Sequence, residues 1–246
     1  MRWLLTFLLV FNAACSSLDD IDTSTPAGAF ELAERYAKAE RFEEAISRFG
    51  EVRTKFPYSK YAVEAQLRIA DIEFDREYYV EAASAYQIFR EMNPRYKRLE
   101  YVIYRIAKSF YLQLPEIDAR DLSAAEKALE YFSEYLEKYP DGTWAKELRG
   151  YQNKTYVKLA NKEMYIGDFY YKQEKYLSAL GRYQAIAINF SFLEQAKTAA
   201  LKAMHSAIKI DKLDIAQEYV DFLKRKFPDS EELQQALEQG AYYGLL

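Results

Sequence analysis

The sequence predicts an all-α protein in which five degenerate helix pairs stack into a superhelical solenoid. Six prolines and eight glycines are few for 246 residues, and residues that favour helices dominate the composition. Half of the residues are hydrophobic, which is enough to bury a core in one or two domains. In addition, one sequence pattern recurs five times along the chain.

The recurring pattern begins at an alanine, continues with large apolar residues four and seven positions later, and ends at a proline twelve positions later in four of the copies. Alanine allows a partner helix to approach closely, residues four apart share a helix face, and proline stops a helix. This pattern is typical of the second helix of a tetratricopeptide repeat. The five alanines are Ala45, Ala82, Ala128, Ala179 and Ala216, and the last positions are Pro57, Pro94, Pro140, Ser191 and Pro228.

Each copy is preceded by a matching first helix, which gives the chain a predicted domain order. Residues 27–140 form an N-terminal half with repeats 1–3, residues 141–230 form a C-terminal half with repeats 4 and 5, and residues 231–246 form a tail without a repeat match. The segment "LQLPEIDARDLSAAE" inserts between the two helices of repeat 3. Residues 141–171 are long enough for one extended helix that joins the halves.

Residues 1–14 have the features of an export signal. Arg2 precedes an apolar run from Trp3 to Phe11, and two small residues follow before Cys15. The run is shorter than the roughly 20 residues that cross a bilayer. Residues 15–26 are polar and acidic, which predicts a tether to the folded part.

The same segment resembles a bacterial lipoprotein signal, in which Leu-(Ala/Ser)-(Gly/Ala) precedes a lipidated cysteine; Asn12 departs from that motif. The alternative is an ordinary small, buried cysteine. The resemblance implies a lipid on Cys15, and Ser16 behind it favours sorting to the outer membrane. A cysteine with several acyl chains would hold the protein stably at the periplasmic face.

Composition excludes several kinds of function. The net charge of −4 does not favour nucleic-acid binding, and one cysteine and one histidine cannot build a Cys/His zinc site or a disulfide framework. The histidine, His205, lies in a helical pattern, where an ordinary half-buried or surface histidine is expected. We therefore expect no enzyme, no metal and no cofactor apart from the covalent lipid on Cys15.

First helices of stacked repeats line a groove that suits extended peptides or partner helices. Projection of the repeat onto the sequence predicts groove residues, although an error of one position would place any of them in the core. These residues are Phe30, Lys38, Leu67, Asp71, Phe74, Tyr104, Lys108 and Tyr111.

Several stretches resemble the BamD family of outer-membrane β-barrel assembly lipoproteins: "KFPYSKYAVEAQLRIADIEF", "NPRYKRLEYVIYRIAKSFY" and the "DARD" insertion at residues 118–121. The resemblance implies that the N-terminal half receives C-terminal targeting strands of unfolded outer-membrane proteins. It also implies that the C-terminal half docks the periplasmic domains of the barrel subunit BamA through Arg182, beside other lipoproteins of the assembly machine. The alternative is a periplasmic tetratricopeptide scaffold of the Tol-Pal or cell-division type.

Overall fold

The computed structural model describes residues 21–245, and within that range it contains eleven α-helices and no strand. The all-α prediction is confirmed, whereas the signal segment and Cys15 lie outside the described residues. In chain order the helices are α1 (Pro26–Lys38), α2 (Phe42–Lys55), α3 (Lys60–Asp75), α4 (Tyr79–Met92), α5 (Leu99–Leu112), α6 (Ser123–Lys138), α7 (Ala145–Lys172), α8 (Tyr176–Asn189), α9 (Gln195–Lys209), α10 (Leu213–Lys226) and α11 (Glu231–Tyr242).

The chain forms two compact units that meet in sequence between Arg76 and Glu77. The first unit contains α1–α3, and the second contains α4–α11. In the second unit, α5, α7 and α9 are the first helices of repeats 3, 4 and 5, and α7 contacts both of the others. The functional division at residue 140 concerns partners and stays a prediction.

The second helices bury the residues that the repeat pattern selects. All five pattern alanines are fully buried, and so are the large residues four and seven positions later, with at most 1% of each residue exposed. Alanine at these positions lets the backbone of the neighbouring helix come close, and the large side chains fill the space beside it. The residues four positions after the alanines are Phe49, Tyr86, Phe132, Tyr183 and Val220.

Every second helix ends two residues before the last pattern position, including α8, where Ser191 replaces proline. The N–H of Phe190, the residue after α8, donates to the carbonyl of Ile186, as the corresponding residue does at the end of α2. Proline therefore reinforces this stop but is not needed for it.

The turn between the helices of a pair contains an acidic residue in the left-handed conformation. Glu174, between α7 and α8, has φ 57°, and Glu40 and Asp211 hold the same place in the α1–α2 and α9–α10 turns. The next N–H, that of Lys175, donates to the Tyr170 carbonyl at 3.0 Å. This is the hydrogen bond of a Schellman C-cap, which turns the chain sharply after a helix.

The insertion of repeat 3 forms the α5–α6 connection and is fastened to α7. Lys158 Nζ donates to the carbonyls of Pro115 and Glu116 at 2.8 and 2.9 Å and to Asp118 Oδ1 at 2.8 Å. Asn161 Nδ2 donates to the other Asp118 oxygen at 2.8 Å. The sequence located the insertion, and the structure shows that one lysine ties it to the long helix.

Helix α7 has 28 residues, which confirms the predicted extended helix. Its close approach to α8 depends on Gly167, because a Cβ atom there would lie 2.5 Å from the Tyr183 ring. The predicted tail forms α11, which packs on α9 and α10 and buries Leu233 and Ala236 in their core. Among residues 21–245 no helix is both long and apolar enough to cross a membrane.

Candidate functional site

Three predicted groove residues come together with Trp144, the residue just before α7, and with two residues near the beginning of α7. We call this set the Lys108 cluster. It consists of Tyr104, Lys108 and Tyr111 of α5 with Trp144, Glu147 and Tyr151 at the start of α7. Residues three, four and seven positions apart share one face of a helix, so each helix presents its three members to the other.

Stacked rings hold the two helices together on either side of Lys108. Tyr104 lies on Trp144 with ring centroids 4.6 Å apart, and Tyr111 lies on Tyr151 at 4.2 Å. Between these pairs, Lys108 Nζ donates to Tyr104 Oη at 2.8 Å and pairs with the Glu147 carboxylate at 3.0 Å.

Contacts within the cluster determine the protonation states of its members. Burial disfavours the charged forms of Lys108 and Glu147, but their hydrogen bonds outweigh it: the pKa of Lys108 is raised and that of Glu147 is lowered. Burial and the Glu147 carboxylate raise the pKa of Tyr151 to about 12. At neutral pH Lys108 is therefore an ammonium, Glu147 is a carboxylate, and the raised pKa values of Tyr104 and Tyr151 keep both phenols neutral.

This arrangement suits binding rather than proton transfer, because none of these groups changes charge near neutral pH. The Lys108 side chain is 23% exposed and that of Glu147 is 35% exposed, so a ligand can reach both. The half-buried rings of Tyr111, Trp144 and Tyr151 offer apolar surface with polar edges, whereas Tyr104 is 6% exposed and mainly packs the two helices together.

Trp144, Glu147 and Tyr151 were not predicted as groove residues. Their spacing of three and four residues at the start of the extended helix is a usable signal, because it marks one helical face. The repeat projection missed them because α7 begins at Ala145, well before Ile166 and Gly167, which mark the repeat's own first helix.

In the first unit, two predicted groove residues lie on α1. Phe30 is half-buried and packs edge-on against Phe49, with ring centroids 5.2 Å apart, and also against Tyr61. Lys38, in the last turn of α1, is exposed. Phe30 thus contributes mainly to the core of this unit, whereas Lys38 is open to solvent.

The other three predicted residues of this unit lie on α3 and are buried. Leu67 is 1% exposed, and neither Asp71 nor Phe74 exceeds 9%. The Asp71 carboxylate lies 3.6 Å from the guanidinium of Arg68. Arg68 also forms a bidentate ion pair with Glu34 of α1. These residues offer little surface to a ligand in this structure, and their groove role stays a prediction.

Arg182 lies on α8, and its side chain is 43% exposed. It pairs with Glu163 of α7 at 3.0 Å, and this hydrogen bond raises the pKa of the guanidinium. The pair sets the direction of the arginine while nearly half of its side chain remains accessible.

His205 lies half-buried on α9, as expected of an ordinary helical histidine. Burial lowers its pKa below the usual 6.5, so the imidazole is neutral at pH 7. Within residues 21–245 no three His, Cys, Asp or Glu side chains are grouped to hold a metal ion.

Comparison with known proteins places these features in a family. The sequence profile of the family described as "YfiO: Outer membrane lipoprotein" matches residues 22–223. Three similar proteins carry the name "Outer membrane protein assembly factor BamD". The protein of Caulobacter vibrioides is 29% identical over 59% of this chain and 47% of its own length. The protein of Rickettsia prowazekii is 24% identical over 77% of this chain and 75% of its own length. The protein of Neisseria meningitidis is 23% identical over 91% of this chain and 90% of its own length.

The chain spans about half the length of the Caulobacter relative, and most of the other two. Among solved structures, the TPR2AB-domain:pHSP90-complex of yeast Sti1 has a TM-score of 0.43 at 15% identity, covering 91% of this chain and 88% of that one. A likeness at this score adds nothing to the assignment. The family profile, however, covers well over half of the chain. The protein therefore belongs to the YfiO family of outer membrane lipoproteins, the BamD family that its sequence resembles.

Proposed function

We propose that this protein is a non-catalytic factor for the assembly of outer-membrane proteins, bound to the outer membrane by a lipid on Cys15. Family membership and the names of the relatives support this role. The observation that carries the binding proposal is the Lys108 cluster, which presents rings, hydroxyl groups and one ion pair on neighbouring first helices.

The ligand of this cluster is the C-terminal targeting strand of an unfolded outer-membrane β-barrel protein. An extended strand leaves its backbone N–H and C=O groups unpaired, so it needs hydrogen-bonding groups as well as apolar contacts. The phenol and carboxylate groups of the cluster supply the hydrogen bonds. The ring faces of Tyr111 and Trp144 supply the apolar contacts.

Fluorescence anisotropy with a labelled C-terminal strand peptide tests this proposal. Lys108→Ala is expected to weaken peptide binding about tenfold, which corresponds to about 1.4 kcal/mol. Lys127→Ala is the matched control, because Lys127 also pairs with a glutamate, Glu130, but on the exposed face of α6. Equal affinity of wild type and Lys108→Ala would contradict this use of the cluster.

The C-terminal half docks the periplasmic domains of a BamA-like barrel subunit through Arg182. An accessible guanidinium held by Glu163 is suited to a carboxylate on a partner, because its planar donors match that group. Other lipoproteins of the assembly machine are expected in the same complex.

A pulldown of residues 16–246 with the periplasmic domains of BamA tests the docking proposal. Arg182→Glu is expected to lose binding, because it places a second carboxylate beside Glu163, whereas Arg225→Glu on α10 should bind as wild type does. Arg225 is exposed and gives the same change of charge. Retention of BamA by Arg182→Glu would argue against Arg182 as the contact.

The lipid anchor is tested by metabolic labelling with palmitate. The wild type should incorporate label and fractionate with the outer membrane, and Cys15→Ser should do neither. Label in Cys15→Ser would show a different attachment site, and an unlabelled wild type would exclude the anchor.

A further inference from the structure

A second binding feature lies in the C-terminal half, and its lining includes neither Arg182 nor any residue of the Lys108 cluster. It is a cavity of about 280 Å³ between α7, α8 and α9. Its lining residues are Asp168, Tyr171, Lys172, Tyr183, Lys202 and His205. Nothing in the proposed assembly function uses this cavity.

One oxygen of Asp168 is paired with two neighbours. This oxygen, Oδ1, accepts from Lys202 Nζ at 2.6 Å and from Tyr183 Oη at 2.7 Å. Burial and the Asp168 carboxylate raise the pKa of Tyr183, which keeps its phenol protonated. Asp168 is therefore compensated, and the ammonium group of Lys202 has two further N–H donors.

Two other nitrogen atoms of the cavity lining, Lys172 Nζ and His205 Nε2, have no partner within residues 21–245, although the His205 side chain is hydrogen-bonded to Gln239. Lys172, at the end of α7, is exposed and makes no ion pair with any residue of the described range 21–245. His205 Nε2 is buried and has no hydrogen-bond partner among the same residues. A buried polar atom without a partner costs stability, so internal hydrogen bonds do not fully satisfy the wall of the cavity beside His205.

The charges of the lining favour an anion. Two lysines stand against one aspartate, and the neutral His205 leaves a net charge of about +1 at pH 7. The rings of Tyr171 and Tyr183 form an apolar wall beside these cations, so the cavity accommodates a hydrocarbon group that carries the negative charge.

We propose that this cavity binds a carboxylate carried by an extended peptide. The carboxylate pairs with Lys172 and with the free donors of Lys202, and the attached carbon chain lies against Tyr171 and Tyr183. The imidazole of His205 lines the cavity beside this carboxylate. The carboxylate belongs either to an acidic side chain or to the C-terminus of the peptide.

The single histidine of the chain provides a direct reporter. The full chain, purified in detergent and isotopically labelled at histidine, gives one imidazole signal for His205 and thus for the cavity. At fixed neutral pH it is titrated with N-acetyl-phenylalanine, which has a terminal carboxylate, and with N-acetyl-glutamic acid α-amide, which has a side-chain carboxylate. The uncharged controls are N-acetyl-phenylalanine amide and N-acetyl-glutamine amide.

We expect saturable movement of the His205 signal with at least one acid and none with its uncharged control. The acid that binds identifies the source of the carboxylate, and binding of both supports the shared chemistry. Lys172→Ala should weaken the binding about fivefold or more, whereas Lys226→Ala, the same change on the exposed end of α10, should not alter it.

Three results would overturn the proposal. No probe moves the signal; the uncharged controls move it as far as the acids do; or Lys226→Ala weakens binding as much as Lys172→Ala. Both substituted lysines are exposed, so neither replacement threatens the fold. The outcome is independent of the BamA and peptide experiments, because none of the residues changed there lines this cavity.

Discussion

Lys108 and Glu147 form a partly buried ion pair whose strength depends on pH. The folded-state pKa of Glu147 lies below its usual value of 4.5, so its contribution to stability is complete above that pH. The contribution is lost as the pH falls through the lowered pKa. The raised pKa of Lys108 keeps the ammonium charged over the same range.

Lys108→Met is therefore expected to lower the free energy of unfolding by about 1 kcal/mol at neutral pH, a modest value because solvent screens both partners. The difference from wild type should begin to shrink below about pH 4.5 and disappear as the pH falls through the lowered pKa of Glu147, because protonation of this carboxylate removes the ion pair. Urea denaturation at a series of pH values measures this.

Lys127→Met is the control for this experiment. Its ion pair with Glu130 is more than half exposed on both sides, so the substitution should change stability by less than about 0.5 kcal/mol. A Lys108→Met difference that stays constant down to acidic pH would show that lost packing, not the ion pair, causes the destabilisation.

At the scale of the helix pair, the turns depend on a conformation that side chains disfavour. Glu174 holds a left-handed backbone between α7 and α8, and Glu40 and Asp211 do so in two other pairs. A residue with a Cβ atom loses roughly 1 kcal/mol there compared with glycine. The turn geometry is thus imposed by the packing of the paired helices.

Glu174→Gly is expected to stabilise the protein by about 0.5–1 kcal/mol, because relief of the left-handed strain outweighs the added flexibility of the unfolded chain. Thermal or urea denaturation measures the change. The same substitution at Glu218, an exposed position inside α10, should instead destabilise by about 1 kcal/mol. Destabilisation by both would refute the role of the turn.

At the scale of the whole molecule, the last helix closes the core of the C-terminal repeats. Leu233 and Ala236 of α11 are buried with residues of α8, α9 and α10 in one cluster. An array of stacked helices needs such a cap, because the last pair otherwise exposes its apolar face. Helix α11 therefore has a structural role although it lacks the repeat pattern.

Leu233→Ala is expected to lower the free energy of unfolding by 2–5 kcal/mol, since it leaves a cavity in this core. Leu177→Ala, on the surface of α8, should have almost no effect: Leu177 is 63% exposed, whereas Leu233 is 7% exposed. Urea denaturation of both variants tests this, and equal effects would mean that α11 does not seal the core.

The sequence determined the helix pairs because their pattern is local. The pattern acts within one helix and its nearest neighbour. It consists of an alanine, large apolar residues four and seven positions after that alanine, and a helix stop near the twelfth position after it. All five second helices and the extended α7 follow this pattern. In the cluster, Tyr104, Lys108 and Tyr111 were found in the same way, as one face of α5.

Only the tertiary structure decided which residues complete a site. Trp144, Glu147 and Tyr151 lie some forty residues from their α5 partners. The contacts of Lys158 with the insertion and the cavity lined by His205 likewise join distant segments. Their contacts depend on how α7 crosses the neighbouring helices. The spacing of residues within a single helix does not determine this crossing. The same packing buried Leu67 and Asp71, because the repeat projection gives a helix face but not what covers that face.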